Sequence, residues 1–167
     1  MRENTELPQY AAWLTDALGL PVVNTDQQAS VDLSGYDYVV VGSPVYVGKL
    51  LMRDWLHENA TVLQHKKVFM FIVSSASPDD KQREDAVIKA NLPNELAKTG
   101  KIYFLRGRVV INKLSWTDRL VVKLGAMMEK DPEKKALMRR GFDGVKRENI
   151  NPLIKAAMEY CNSEALL

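Results

Sequence analysis

The chain has 167 residues, of which 46% are hydrophobic and 26% charged, and its formal net charge is +2. Those proportions are typical of a soluble globular domain that is large enough to bury its own core. One cysteine and two histidines exclude a disulfide framework and a structural zinc site. The sequence contains neither an apolar run long enough to span a membrane nor the pattern of a signal peptide. We therefore expect a cytoplasmic protein without a metal.

Helical and strand-like patterns alternate along the sequence. The predicted elements, in chain order, are a helix at Pro8–Leu18, strands at Pro21–Val23 and Tyr36–Val41, a helix at Leu50–Leu63, a strand at Lys67–Ser74, a helix at Asp79–Asn91, a strand at Ile102–Val110, and helices at Ser115–Lys130 and Asn151–Leu167. This alternation predicts an α/β fold with a parallel sheet, and no linker divides residues 1–167 into separate domains.

Two of the predicted strands are apolar throughout and end in small residues. The runs Tyr38–Val41 and Val68–Val73 do not alternate, which is typical of strands buried on both faces. Gly42–Pro44 follows the first run and Ser74–Pro78 follows the second. Ligands of open α/β sheets bind just beyond the carboxyl ends of the strands, so the two loops together predict a ligand site. Either loop alone is better explained as an ordinary turn.

The segment Gly42–Gly48, with the sequence GSPVYVG, carries the most specific signal. It follows a strand that is preceded by Tyr36-Asp37, and it precedes a helix. This unit resembles the strand and loop of flavodoxin-like domains that lie against the flavin ring. The resemblance implies a doubly wound flavodoxin-like sheet and an FMN cofactor. Tyr46 would offer the ring an aromatic face, Pro44 would fix the chain, and Gly48 would let the backbone turn close to the ligand.

The same resemblance assigns FMN contacts to three places in the chain. Thr5, at the N-terminus of the first predicted helix, stands in for the loop that holds the FMN phosphate in such domains. Helix N–H groups attract a phosphate there, whereas Glu3 and Glu6 repel it. The expected contacts in the two strand-end loops are Ser43, Pro44, Val45, Tyr46, Val47, Gly48, Ser74, Ser75 and Ala76.

Flavodoxin-like domains begin with a buried strand, and this sequence shows none before its first helix. In the sheet order 2-1-3-4-5 that strand lies between the second and third strands. We therefore expect a sheet that lacks its first strand, in which Tyr36–Val41 has an unpaired edge. Three explanations are open. Met1 lies inside a longer protein, Pro21–Val23 pairs directly with Tyr36–Val41, or a partner chain donates the strand.

A second resemblance concerns Trp116–Leu124, with the sequence WTDRLVVKL. It is similar to a segment of menaquinone-dependent protoporphyrinogen oxidases, which are flavodoxin-like FMN enzymes with a helical insertion. The resemblance implies an inserted basic helical segment at residues 111–147. It also implies a quinone or a porphyrin-type molecule as partner, and a role in haem biosynthesis.

Positive charge is concentrated in the same region. Residues 101–147 contain 13 Lys and Arg against 5 Asp and Glu, a net charge of +8, whereas the rest of the chain has a net charge of −6. The apolar and basic residues of 115–130 are compatible with an anionic membrane surface as partner and a peripheral location at the inner face of the membrane. An ordinary amphipathic helix that covers the sheet also explains the pattern. Nucleic acid is not expected, because no binding motif accompanies the charge.

The leading function is an FMN-dependent oxidoreductase, nearest to the protoporphyrinogen oxidases and with a quinone acceptor. The alternatives are a flavodoxin-type electron carrier and a truncated, non-redox relic that has lost FMN. The isoelectric point of about 8.6 argues against an electron-carrier function, because flavodoxin-type carriers are usually acidic. The missing phosphate loop favours the relic. Neither His57 nor His65 is nominated as a catalytic residue, and the oligomeric state is not predicted.

Overall fold

The computed structural model describes residues 6–25, 31–74, 80–110 and 115–164. In chain order its elements are α1 (Glu6–Leu18), β1 (Tyr38–Tyr46), β2 (Lys49–Leu50), α2 (Arg53–Glu58), α3 (Ala60–Leu63), β3 (Lys67–Ser74), α4 (Lys81–Asn91), α5 (Asn94–Thr99), β4 (Lys101–Arg106), β5 (Arg108–Val109), α6 (Trp116–Met128), α7 (Pro132–Arg140), β6 (Phe142–Asp143), a 3-10 turn (Arg147–Ile150) and α8 (Asn151–Glu164). They form two compact units. The first comprises Met1–Arg106 with Lys146–Leu167, and the second comprises Gly107–Val145.

A four-stranded sheet in the order β2-β1-β3-β4 forms the centre of the first unit. β1 runs parallel to β3, from Tyr38 opposite Lys67 to Pro44 opposite Val73. β3 in turn runs parallel to β4, and the two-residue β2 is antiparallel to the end of β1. The predicted α/β fold with a mostly parallel, flavodoxin-like sheet is therefore confirmed.

β3 is buried on both faces. Val68, Met70 and Ile72 belong to a core cluster on one face, and Phe69 and Phe71 lie on the other. The first cluster takes Leu56, Leu63, Val87 and Leu96 from helices α2 to α5, and Leu92 from the turn between α4 and α5. On the second face the rings of α1 and α8 meet the strand, with Tyr10 near Phe71 and Tyr160 near Phe69. Helices thus cover both faces, which explains why the strand has no polar alternation.

Gly42 on β1 has no room for a side chain. A Cβ at this position would overlap Cζ of the Phe71 ring and lie 2.6 Å from its Cε1 atom. The Phe71 ring also meets Tyr10 edge-on, with the ring centroids 6.3 Å apart. Tyr10 is fully buried and its hydroxyl donates to the Arg106 carbonyl at 2.8 Å. Because Gly42 has no side chain, the Phe71 ring lies directly over the β1 backbone and contacts Tyr10 of α1.

The prediction of a strand at Pro21–Val23 is wrong. These residues have no regular structure, and Val22 and Val23 are 62% and 42% exposed. The run is short and begins with a proline, which has no N–H for a ladder. Among the described residues, β3 is the one strand neighbour of Tyr38–Ser43. Direct pairing of Pro21–Val23 with β1, one of the three explanations for the missing strand, is therefore also wrong. The other two stay predictions.

Several element boundaries differ from those predicted. The helix expected at Leu50–Leu63 is two short helices separated at Asn59, and Leu50 belongs to β2. The strand expected at Ile102–Val110 is divided at Gly107 into β4 and β5. The sequence patterns missed α5, which is too short to show a helical period, and α7, which is dominated by charged residues.

The second unit contains α6, α7 and a small antiparallel ladder. β5 pairs with β6, with Arg108 opposite Asp143. α6 packs against α7. Ser115 caps α6, because its hydroxyl accepts the Asp118 N–H at 3.2 Å and donates to the Asp118 carboxylate at 2.7 Å. The basic insertion expected at residues 111–147 overlaps this unit.

We expect Gly42→Ala to destabilise the protein by about 1–3 kcal/mol, because the new methyl group displaces the buried Phe71 ring. Urea unfolding measures the change. Gly35→Ala is the matched control, because a Cβ at Gly35 meets nothing within 4 Å. Equal stability of the two variants would contradict the close contact between Gly42 and Phe71.

Candidate functional site

The carboxyl ends of β1 and β3 lie side by side at one edge of the sheet. Ser43 is opposite Ile72 and Pro44 is opposite Val73, so the carboxyl-terminal parts of both strands reach the same end of the sheet. The two segments predicted to form a ligand site are therefore neighbours as far as Ser74. Thr5, Ser75 and Ala76 lie outside the described residues.

The segment predicted as a loop after β1 is a strand end followed by a tight hairpin. Ser43–Tyr46 continues β1, and Tyr46 pairs with Lys49 across the two residues Val47 and Gly48. Both of these residues have positive φ, 48° and 76°, as the type I′ hairpin turn requires. The expectation that Gly48 lets the backbone turn agrees with this geometry, and no atom lies within 4 Å of the position a Cβ would take there.

Val47 holds a backbone conformation that its side chain disfavours. Asn, Asp and Gly are the usual residues at this turn position, whereas a β-branched residue with positive φ is strained. The Val47 side chain is 68% exposed, so little burial of its own offsets the strain. Strain of this kind costs of the order of 1–3 kcal/mol and clusters at ligand-binding positions. The hairpin tip is therefore the strongest candidate for a functional site in this unit.

The predicted contact residues differ in their accessibility. Tyr46 is 38% exposed and, with Val47 and Gly48, forms the accessible part of the segment. Ser43 and Pro44 are buried. The Ser43 hydroxyl accepts the Met52 N–H and donates to the Pro44 carbonyl, both at 3.2 Å. Ser43 therefore fixes the path of the backbone under the hairpin.

Asn91, at the end of α4, ties the hairpin to the body of the unit. Its carboxamide oxygen accepts the Leu50 N–H at 3.0 Å, and its Nδ2 donates to the carbonyls of Gly48 and Val87, both at 2.8 Å. Asn91 is 1% exposed. The carboxamide of Asn91 has hydrogen-bond partners for both its donor and its acceptor atoms. Breaking any of these bonds leaves a buried polar group without a partner, which is costly. Asn91 therefore positions both Gly48 and β2.

The sequence interpretation missed Asn91. Val87 and Asn91 are four residues apart on α4 and are both buried, so they share one face of the helix. A polar residue on a buried helix face was the available signal. The hairpin partners are 41 and 43 residues away in the sequence, and no local pattern points to them.

The second unit has an open cavity of its own, with a volume of about 500 Å³. Two arginines contribute to it. Arg108 pairs with Asp143 at 2.8 Å, and the hydrogen bond from its guanidinium lowers the pKa of the Asp143 carboxyl below its usual value. Arg140 is exposed. The full lining is Arg108, Val109, Val110, Arg140, Gly141, Phe142 and Asp143. The lining therefore combines apolar side chains with two arginines and one carboxylate, and the charges of Arg108 and Asp143 are paired with each other.

Neither a membrane span nor a metal cluster is found in residues 6–25, 31–74, 80–110 and 115–164. No helix there is long and apolar enough to cross a bilayer. No three His, Cys, Asp or Glu side chains there lie close enough together to hold a metal ion.

A parallel sheet covered by helices, with an accessible hairpin at its carboxyl edge, defines a flavodoxin-like α/β domain. A family model described as a flavodoxin domain matches residues 8–136. That is more than half of the chain, so the chain belongs to this family. Among curated proteins, none matches the sequence significantly.

We expect Val47→Asn to stabilise the protein by about 1 kcal/mol, because Asn adopts positive φ more readily than Val does. The midpoint of urea unfolding measures the change. Val62→Asn is the control, since Val62 is also an exposed valine but lies in α3. A loss of stability in Val47→Asn would contradict the strain at this position.

We expect Asn91→Ala to destabilise the protein by about 2–4 kcal/mol, because the buried Leu50 N–H and the Gly48 carbonyl lose their partner together. Amide hydrogen exchange at Leu50 should also accelerate. Asn59→Ala is the control, since the Asn59 amide donates to the Trp55 carbonyl and not to the hairpin. Unchanged exchange at Leu50 would show that Asn91 does not hold the hairpin.

Proposed function

We propose that this chain is an FMN-dependent oxidoreductase whose flavin ring lies at the hairpin of Tyr46, Val47 and Gly48. The observation that carries the proposal is a strained, accessible hairpin at the carboxyl edge of the parallel sheet, where open α/β folds bind their ligands. Membership of the flavodoxin-domain family supports the same cofactor.

The residues present at the hairpin fit a flavin ring. Tyr46 provides a partly exposed aromatic side chain, and Val47 adds exposed apolar surface beside it. Gly48 leaves its surroundings open, so another molecule can approach the backbone closely. A flat, largely apolar ring needs these three features: a stacking partner, apolar cover and accessible backbone. The phosphate end of FMN is assigned to Thr5, outside the described residues.

FMN, when bound, supplies one- and two-electron transfer. The protein's own residues bind and orient the ring. Tyr46 would shield one face of the ring from water, and the hydrogen bonds of Asn91 and Ser43 hold the backbone that carries Tyr46. No side chain near the hairpin is needed as an acid or base for this role.

The substrate class that we propose is a porphyrinogen, with a quinone as electron acceptor. Two features support it. Trp116–Leu124, which forms most of α6, is similar to a segment of menaquinone-dependent protoporphyrinogen oxidases. The exposed Arg140 in the lining of the second unit's cavity suits a propionate carboxylate of such a substrate.

Titration of the apo-protein with FMN, followed by flavin fluorescence, tests the cofactor. We expect saturable quenching, and we expect Tyr46→Leu to weaken binding by about three- to tenfold because the stacking ring is lost. Tyr36→Leu is the matched control, since Tyr36 is an exposed tyrosine that precedes β1 at the opposite end of the strand. Absence of quenching in the wild-type protein at both low and moderate salt would contradict FMN binding and favour the non-redox relic.

Anaerobic incubation of the FMN-loaded protein with protoporphyrinogen and a menaquinone analogue tests the substrate class. We expect porphyrin formation that depends on both the protein and the quinone. A protein that binds FMN and exchanges electrons with reductases but forms no porphyrin would be an electron carrier instead.

A further inference from the structure

The outward face of α6 is apolar. Trp116 is 77% exposed and Met128 83% exposed, and both lie at the ends of a 13-residue helix. The exposed apolar side chains of this face, here called the α6 face, are Trp116, Leu120, Val121, Leu124, Met127 and Met128. An apolar group of this size on a protein surface marks an interaction site.

The helical period places these side chains on one side of the helix, around the exposed Thr117. At 100° per residue, the α6 face spans an arc of about 140° that begins at Trp116 and ends at Val121. The buried residues Asp118 and Ala126 lie on the other side of the helix. Arg119 and Lys123 are exposed and lie along the border of the arc next to Trp116. The helix therefore presents a broad apolar surface with cations at one margin.

We propose that the α6 face docks on an anionic lipid surface. Apolar side chains that enter the boundary between headgroups and acyl chains, with cations beside them at headgroup level, are the elements of an interfacial helix. The exposed Trp116 is a residue type that favours this boundary. Because α6 has 13 residues, whereas a bilayer span takes about 20, the proposed helix lies on the membrane surface.

Charge distinguishes a lipid surface from a second copy of the chain. Residues 107–145 contain 9 Lys and Arg against 5 Asp and Glu, a net charge of +4. A symmetric dimer through the α6 face would bring two such segments together, because the same patch meets itself across a twofold axis. An anionic membrane surface instead attracts the same charge. The proposal is independent of flavin binding.

Co-sedimentation of the full chain with vesicles tests the proposal. We expect binding to vesicles of phosphatidylcholine with phosphatidylglycerol at low salt, weaker binding at moderate salt, and little binding to phosphatidylcholine alone. Failure to bind anionic vesicles at low salt would overturn the proposal. A wild-type dimer that does not bind vesicles and that dissociates on substitution of the α6 face would assign the face to a second copy.

Two pairs of variants separate the apolar and the charge contributions. We expect Leu120→Gln/Leu124→Gln to weaken vesicle binding by about tenfold or more, whereas Val22→Gln/Val62→Gln, also exposed, binds like the wild type. Arg119→Gln/Lys123→Gln should bind more weakly and depend less on salt, unlike the control Lys81→Gln/Lys89→Gln on α4. Equal loss in an α6 pair and its control would overturn the assignment to α6.

Tryptophan fluorescence gives a direct report of insertion. Trp116 is highly exposed in the free protein, whereas Trp13 and Trp55 are half-buried. We expect a blue shift on addition of anionic vesicles that is absent from Trp116→Phe. A shift that persists unchanged in Trp116→Phe would show that another part of the chain meets the lipid.

Discussion

The parallel pairing of β1 with β3 determines where every feature of the candidate site lies. Because Pro44 is opposite Val73, the carboxyl-terminal ends of the two strands lie side by side, and the hairpin follows at the edge where open α/β sheets bind ligands. On one face of the sheet the pairing brings the β1 backbone against the Phe71 ring, which occupies the space that a side chain at Gly42 would take. The register therefore places both the Gly42–Phe71 contact and the hairpin at this end of the sheet.

The hairpin itself has little local support. Two-stranded hairpins are marginal alone in water, and this one has only two paired positions beyond the turn. Its stability comes from outside, through Asn91, whose amide reaches Gly48 and Leu50 from α4. A helix on one face of the sheet thereby controls the conformation of the exposed tip. The candidate site depends on tertiary hydrogen bonds more than on local turn propensity.

The sequence predicts those parts of the fold whose cause is local. β3 has the predicted bounds, Lys67–Ser74, because burial on both faces requires an uninterrupted apolar run. The small residues Gly42–Pro44 predict a loop after the apolar run, yet Ser43 forms hydrogen bonds within the unit and the strand continues to Tyr46. Asn91 was missed because its partners are distant in the sequence. The position of the Ser43–Gly48 segment at the carboxyl end of β1 is thus predictable, whereas the hydrogen bonds from Asn91 that hold it are not.

The strain at Val47 and the hydrogen bonds of Asn91 together show that the hairpin is preorganised. An exposed β-branched residue with positive φ persists only where the surrounding structure over-determines its backbone. Here the pairing of Tyr46 with Lys49 and the hydrogen bond from Asn91 to the Gly48 carbonyl fix the chain on both sides of Val47. A ligand that meets this tip therefore meets a backbone that is already ordered. Less conformational entropy is lost on binding, so even a small contact area around Tyr46 contributes effectively to affinity.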